Sequence, residues 1–362
     1  MLLEGIFPAI TTPFYPDGRL YLRKLEHNVE RYSRTPCAGM TILGSTGEAV
    51  MLSDDETREV LRHAVRAAAP DKVLLAGIGR ESLAETLRLA EYAAEHNYDA
   101  VLVRTPHYYP LYASATNTVG MLTYYRALAD RSPLPVVLYS IPKFTHYELP
   151  VEVVAELAQH PNIIGIKDSS GSLDRLSSLI AATLSAPKRS VFVTPVFEAV
   201  TNRMMIAESE ASFVAANFVS AELLGADPVL AVPLAVAPPV SRVKAMRKKE
   251  VGFQILSGSA ETLLSGLEAG VSGAILAFAA PAPQACQEVY TAWKENDPKI
   301  AREKQERLVL PSRAVAAQYG IPGLKYACDL NGYYGGVSRV PLLPLTAEQK
   351  SEVAAAMADV RN

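Results

Sequence analysis

With 362 residues, 49% of them hydrophobic and 20% charged, the chain has the composition of a folded globular protein, long enough for one α/β barrel carrying extra helices. The 35 Lys and Arg against 38 Asp and Glu leave a net charge of −3, so no global field attracts nucleic acid or an anionic membrane, and a small-molecule partner is expected. Cys37, Cys286 and Cys328 are widely spaced and form no C-x-x-C pair, which argues against a disulfide scaffold and a structural zinc site and predicts reduced thiols in the cytoplasm.

The opening stretch MLLEGIFPAITTPF carries Glu4 and no basic segment ahead of its apolar run, so it reads as a first strand rather than a signal peptide. Apolar runs rich in β-branched residues then recur at Ile6–Thr11, Met40–Leu43, Val73–Ile78, Ala100–Val103, Val136–Tyr139, Ile163–Lys167, Phe253–Leu256 and Ala274–Ala277. Amphipathic stretches separate most of them. Ser53 followed by Asp54, Asp55 and Glu56 marks one helix start, and Leu149-Pro150 opens another over Val151–His160. Eight βα units predict a TIM (β/α)8 barrel, an α/β fold whose active site lies at the C-terminal ends of the strands.

The rhythm breaks after the sixth helix, Leu173–Leu184, because the seventh barrel strand starts only at Phe253. Residues 186–251 therefore read as an insertion between the sixth helix and the seventh strand. It holds a predicted helix at Phe197–Ser209, a Pro-, Ala- and Val-rich run over Pro228–Ser241, and a basic patch of Arg242, Lys244, Arg247, Lys248 and Lys249 read as a solvated helix face. The apolar run is too short and too broken by proline to span a bilayer. An αβ connection lies at the barrel end opposite the expected site. Helices at Pro283–Asn296, Pro298–Tyr319 and Thr346–Arg361 follow. The expected division is a barrel over 1–296, interrupted at about 186–251, and a C-terminal helical extension over 297–362.

Chemistry concentrates at the strand ends. Lys167 terminates the apolar run Ile163-Ile164-Gly165-Ile166, where a barrel strand delivers side chains to the active-site mouth. Among apolar walls, desolvation favours a neutral amine, which attacks carbonyls, although a lysine also commonly just marks a strand end. Tyr139 ends the neighbouring run, as a proton shuttle or as plain core. Gly44-Ser45-Thr46-Gly47-Glu48 after the second run reads either as a simple turn or as a cradle in which two hydroxyls hold a small carboxylate.

Gly44-Ser45-Thr46-Gly47-Glu48, Tyr139-Ser140-Ile141-Pro142 and Gly165-Ile166-Lys167-Asp168-Ser169, in this order and spacing, resemble the dihydrodipicolinate synthase/N-acetylneuraminate lyase family of class I aldolases, over about 1–185 and 252–350. Leu138-Tyr139-Ser140-Ile141-Pro142, Gln159-His160-Pro161-Asn162-Ile163, Gly320-Ile321-Pro322-Gly323-Leu324-Lys325 and Gly332-Tyr333-Tyr334-Gly335-Gly336 look most like its 4-hydroxy-2-oxoglutarate aldolases. The resemblance implies that Lys167 forms an imine with pyruvate or a 4-hydroxy-2-oxo acid. Tyr139 would transfer protons, and Ser45 and Thr46 would bind the pyruvyl carboxylate and support the proton relay. Tyr108, or Tyr109 beside it, would reach into a neighbouring subunit, implying a homotetramer or homodimer unless these aromatics only pack an interface. By weaker match, Ser169, Gly258 and Ile275 would line the substrate pocket; Ser169 reads equally as a helix cap and Ile275 as core.

One departure is informative. Five residues past Tyr139, where the synthases of the family carry an arginine for the carboxylate of aspartate semialdehyde, this chain has Phe144, with Lys143 and His146 nearby. The six histidines show no paired ligand spacing, and no metal or other cofactor is expected. The leading expectation is a lyase that cleaves 4-hydroxy-2-oxoglutarate or a 2-keto-3-deoxy sugar acid to pyruvate and an aldehyde. The alternatives are 4-hydroxy-tetrahydrodipicolinate synthase and a non-catalytic barrel that binds keto acids.

Overall fold

Apolar runs that must be buried on both faces form parallel strands, because a crossover helix covers one face and the barrel interior the other. The computed structural model describes residues 1–109, 115–206 and 246–360. Its strands are β1 (Gly5–Pro8), β2 (Gly39–Ile42), β3 (Val73–Gly77), β4 (Ala100–Arg104), β5 (Val136–Ser140), β6 (Ile163–Asp168), β7 (Arg189–Val193), β8 (Arg247–Val251), β9 (Gln254–Ser257) and β10 (Gly273–Leu276). Eight of them pair in parallel in the order β1-β10-β9-β6-β5-β4-β3-β2. The ring closes where Ala9 bridges Thr41, Ile10 N donates to Thr41 O at 3.1 Å, and Ala38 N donates to Ile6 O at 3.0 Å. The expected TIM barrel is thus observed, each barrel strand within a few residues of its predicted run.

Side chains alternate with period two. Val73, Leu75, Ala100, Leu102, Val137 and Tyr139 pack with Phe7, Leu256 and Ile275 inside the barrel, while Leu74, Ala76, Val101, Val103, Val136 and Leu138 face the helices. This alternation turns Tyr139 inward. Register then sets it beside Lys167, its Cα partner on β6. The predicted helix start at Ser53 is a capping box: Ser53 Oγ accepts from Glu56 N at 3.2 Å, and Glu56 Oε2 accepts from Ser53 N at 3.0 Å.

The described part of the insertion is an antiparallel ribbon of β7 and β8 on the N-terminal face of the barrel. Val191 and Val193 bury against Leu2, Lys249 pairs with Glu4, and Asn202 N donates to Oδ1 of the buried Asp99 at 2.9 Å. Arg189 donates to the carbonyls of Pro161, His160 and Ile163, at the start of β6. Two expectations are corrected. Arg247, Lys248 and Lys249 lie on a strand, not a helix, because β7 offers them a pairing edge. The helix predicted from Phe197 starts at residue 202, after Phe197 adopts φ +63°. Residues 207–209 of that helix, the run Pro228–Ser241, Arg242 and Lys244 lie outside the described residues.

At the C-terminus, helices cover Pro283–Lys294, Pro298–Ser312, Gly320–Leu330 and Ala347–Ala356. The single helix expected over Pro298–Tyr319 is interrupted: Pro311, which lacks an N–H, precedes a π-helical turn over Arg313–Gln318. The helix at Gly320–Leu330 was not foreseen. No helix among the described residues is long and apolar enough to cross a membrane.

Candidate active site

Tyr139 and Lys167 end adjacent strands and are 4% and 5% exposed. Lys167 Nζ lies 4.3 Å from the centre of the Tyr139 ring, and among the described residues it makes no ion pair or hydrogen bond. Its amine is therefore held by the aromatic face and stays available to a carbonyl. Tyr139 Oη is 3.3 Å from Ser45 Oγ, either oxygen being able to donate. Ser45 belongs to a 3-10 turn over Ser45–Gly47, fixed from below by Thr12 Oγ1, which donates to Gly47 O at 2.6 Å. Ser45, Thr46, Tyr139 and Lys167 thus meet at the C-terminal rim, where the strand-end reading puts them.

The loop after β6 is locked from behind. Asp168, buried, accepts from Ser170 N at 3.0 Å, from Ser170 Oγ at 2.5 Å and from Arg175 Nε at 2.8 Å, and Arg175 also donates to Leu149 O at 2.6 Å. Ser169 N donates to Ser140 O at 3.0 Å, and Gly258 N donates to Asp168 O at 2.7 Å. A Cβ at Gly258 would sit 2.1 Å from Ser169 Oγ and 2.9 Å from Asp168 O, so only glycine permits this approach. Ser169 does not cap the following helix; Ser172 does, accepting from Arg175 N.

These residues line a cavity of about 590 Å³ that includes Ser45, Thr46, Tyr139, Lys167, Ser169 and Gly258. Its far wall was missed in the sequence: Ala316, Gln318, Ile321 and Pro322, from the π-helical turn and the helix after it, roof the mouth. An adjoining cavity of about 270 Å³ is bounded by Val50, Leu102, Arg104, His107 and Phe144. Phe144, 51% exposed, borders both cavities, as does Ser45. Lys143 lines the larger one, so the helix at Pro142–Thr145 offers that space an ammonium in place of a guanidinium.

Three predicted residues sit elsewhere. Ile275 is wholly buried in the barrel interior; Ala277, just past the end of β10, lines the cavity instead. Tyr108 and Tyr109 are 76% and 78% exposed and line neither cavity of their own chain. Their loop is anchored by Glu81, which accepts from His107 N at 2.8 Å, Tyr108 N at 3.0 Å and Arg104 Nη1 at 2.9 Å. Partial burial opposes ionisation of Glu81, but these three donors outweigh it and hold its carboxyl below the usual range.

Among the described residues no group of three or more His, Cys, Asp or Glu is placed to hold a metal ion. Cys37, Cys286 and Cys328 are free and buried, and burial pushes the Cys37 thiol up to about 11.

The family model for the dihydrodipicolinate synthetase family matches residues 2–221 and 221–360. The 4-hydroxy-tetrahydrodipicolinate synthase of Methanothrix thermoacetophila is 28% identical over 97% of this chain and 95% of its own, and that of Acidiphilium cryptum 29% over 98% of each. Among solved structures, a dihydrodipicolinate synthase from Bacillus anthracis matches with a TM-score of 0.76 at 22% identity over all of both chains. A prophage protein of the same family from E. coli K12, in complex with pyruvate, matches with a TM-score of 0.75 at 23% identity over 99% of each. With a rim lysine, a tyrosine and a hydroxyl turn on a closed barrel, and a family match along nearly its whole length, the chain belongs to the dihydrodipicolinate synthetase family of pyruvate-dependent class I aldolases.

Proposed function

We propose that Lys167 Nζ attacks the keto carbon of a 4-hydroxy-2-oxo acid, that water leaves, and that the resulting imine drives cleavage of the C3–C4 bond. The electron pair of that bond moves toward the imine nitrogen to give an enamine. Tyr139 Oη takes the proton of the C4 hydroxyl while passing its own to Ser45 Oγ, which hands its hydrogen on to solvent, and an aldehyde departs. Protonation of the enamine at C3 and hydrolysis release pyruvate and restore Lys167. The observation that carries this reading is the Lys167 amine over the Tyr139 ring, without ion pair or hydrogen bond among the described residues, with the Tyr139 hydroxyl 3.3 Å from Ser45 Oγ. Ser45 and Thr46 bind the pyruvyl carboxylate, and Ser169 and Gly258 shape the opposite side. The substrate class is 4-hydroxy-2-oxoglutarate or a 2-keto-3-deoxy sugar acid. Exposed Tyr108 completes the relay of a neighbouring chain in a homotetramer or homodimer.

A second reading, condensation of pyruvate with aspartate semialdehyde, is favoured by the names of the curated relatives. Phe144 weighs against it, since a phenyl ring cannot grip the second carboxylate bidentately. The test has two arms. Borohydride added with pyruvate should leave a reduced adduct on Lys167 by peptide mass mapping, and an unmodified Lys167 defeats the imine mechanism. Pyruvate release from a panel of 4-hydroxy-2-oxo acids should then exceed the rate of aspartate semialdehyde condensation; the reverse order selects the synthase.

A further inference from the structure

Beside the catalytic cavity two opposite charges are buried together. The side chains of Glu48 and Lys325 are 0% and 1% exposed, with Nζ 2.5 Å from Oε1. Nζ also donates to Val337 O at 2.6 Å, while Glu48 Oε2 accepts from Arg339 N at 2.9 Å. The Phe14 ring faces both cations, with Lys325 Nζ and Arg339 Cζ each 4.4 Å from its centre. A Cβ at Gly335 would lie 1.8 Å from Lys325 O, so the segment carrying Val337 and Arg339 packs directly on the helix backbone.

Apolar side chains of the same volume commonly stabilise such a place as well or better, so stability alone gives a weak reason for two buried charges. Their position supplies another. Glu48 closes the turn that holds Ser45 and Thr46, its N–H donating to Ser45 O at 3.1 Å, and it does so in the left-handed region at φ +55°, which is uncommon for a residue other than glycine. Lys325 lies on the helix Gly320–Leu330, whose first residues, Gly320, Ile321, Pro322 and Leu324, line the cavity. One ion pair thus joins the hydroxyl turn on the β2 side to the roof from the C-terminal extension.

We infer that Glu48 and Lys325 are positioning residues: their pairing sets the Ser45–Thr46 turn against Tyr139 and Lys167 and fixes the roof over the bound oxo acid. The inference rests on the proposed carboxylate-binding role of Ser45 and Thr46. Neither side chain reaches the cavity with a reacting atom; both act through the backbone they clamp. Loss of either partner alone leaves the other charge buried and unpaired, so the informative variants replace both or shorten one.

The experiment uses the full chain. The double variant Glu48→Gln/Lys325→Met removes both charges and keeps the volume, and Glu48→Asp keeps both charges but withdraws the carboxylate by one methylene. For each, the melting temperature is measured alongside the pyruvate concentration needed for half-maximal borohydride trapping on Lys167 and kcat for cleavage. The pair acting as a positioning clamp requires a folded double variant whose half-saturating pyruvate rises about tenfold or more, since displacement of a site by about 1 Å costs on the order of a hundredfold. Glu48→Asp should fall between it and the parent. A folded double variant with unchanged half-saturation and kcat makes the pair structural only and overturns the inference. If the double variant does not fold, Glu48→Asp decides by the same readout. Absence of trapping in the parent protein defeats the imine reading instead, so the two failures are distinct.

Discussion

Replacing Tyr139 with phenylalanine isolates one oxygen. The ring remains in the barrel interior, 4.3 Å from Lys167 Nζ at its centre, so the packing of the amine is preserved. What disappears is the 3.3 Å contact with Ser45 Oγ, a long hydrogen bond between neutral groups. Such a bond contributes about 0.5–1.5 kcal/mol to stability, and this one belongs at the low end because Ser45 is only half-buried. Tm should therefore barely move. A general acid–base group, by contrast, contributes on the order of 10²–10⁴-fold, or about 3–5 kcal/mol of barrier. Steady-state pyruvate release by Tyr139→Phe should fall by that factor. Borohydride trapping of pyruvate should persist, because imine formation needs the Lys167 amine before it needs a proton at C4. A variant within about threefold of the parent in kcat would refute the assignment. So would a variant that loses trapping and cleavage alike while keeping its fold, since the hydroxyl would then serve the imine rather than C–C cleavage.

Three further outcomes follow from the same geometry. Gly258→Ala pushes a methyl to 2.1 Å from Ser169 Oγ and 2.9 Å from Asp168 O. The strain of overpacking should cost about 1–3 kcal/mol of stability and shift Ser169 enough to lower kcat/KM about a hundredfold; an unchanged kcat/KM would show that Ser169 does not touch substrate. Phe144→Arg supplies the missing guanidinium and should raise aspartate semialdehyde condensation about ten- to a hundredfold, as a charge-assisted pair of about 1.5–3 kcal/mol allows; no gain would place the second carboxylate elsewhere. The side-chain bond from Arg339 is the main cause holding the Glu56 carboxyl below its usual range, with Ser53 N–H adding to it. A depressed folded value contributes stability that is present above the unfolded value of about 4.3 and is lost as pH falls through the folded one. The Tm advantage of the parent over Arg339→Gln should therefore shrink below about pH 4.3 but not vanish, because Arg339 also donates to the carbonyls of Gly18 and Met51. An advantage independent of pH would mean the ion pair contributes nothing.

The barrel was legible because burial on both faces leaves a signature that local sequence carries: runs such as Val73-Leu74-Leu75-Ala76 have no solvated face. Lys167 and Tyr139 stood out for the same reason, as polar groups ending runs that tolerate none. The β7–β8 ribbon was not legible. Arg247, Lys248, Lys249 and Glu250 carry no apolar alternation, and they become a strand only because Val191 and Val193 on the partner strand bury against Leu2. The Glu48–Lys325 pair was equally hidden, since Glu and Lys ordinarily face water and nothing local in either segment announces a partner at the other end of the chain.

Ile275 and Tyr108 mark a finer limit. Period two tells which side of a strand a residue faces, and it correctly turns Ile275 inward. It does not tell in which layer of the barrel the residue ends, because that depth depends on the stagger between neighbouring strands, and stagger is a property of the closed ring. Register resolves it: Ile275 pairs with Phe7 of β1, whose side chain is wholly buried, while the chain reaches the cavity only past the strand's end, at Ala277. Tyr108 fails differently. At 76% exposure it borders neither cavity of its own chain, so its proposed role belongs to a surface that one chain cannot complete. The same logic separates the two ends of the molecule. Asp99, just before β4, is buried and accepts from Asn202 of the insertion, so it answers to stability, whereas Ser45, Tyr139 and Lys167 at the C-terminal ends line a cavity open to a ligand.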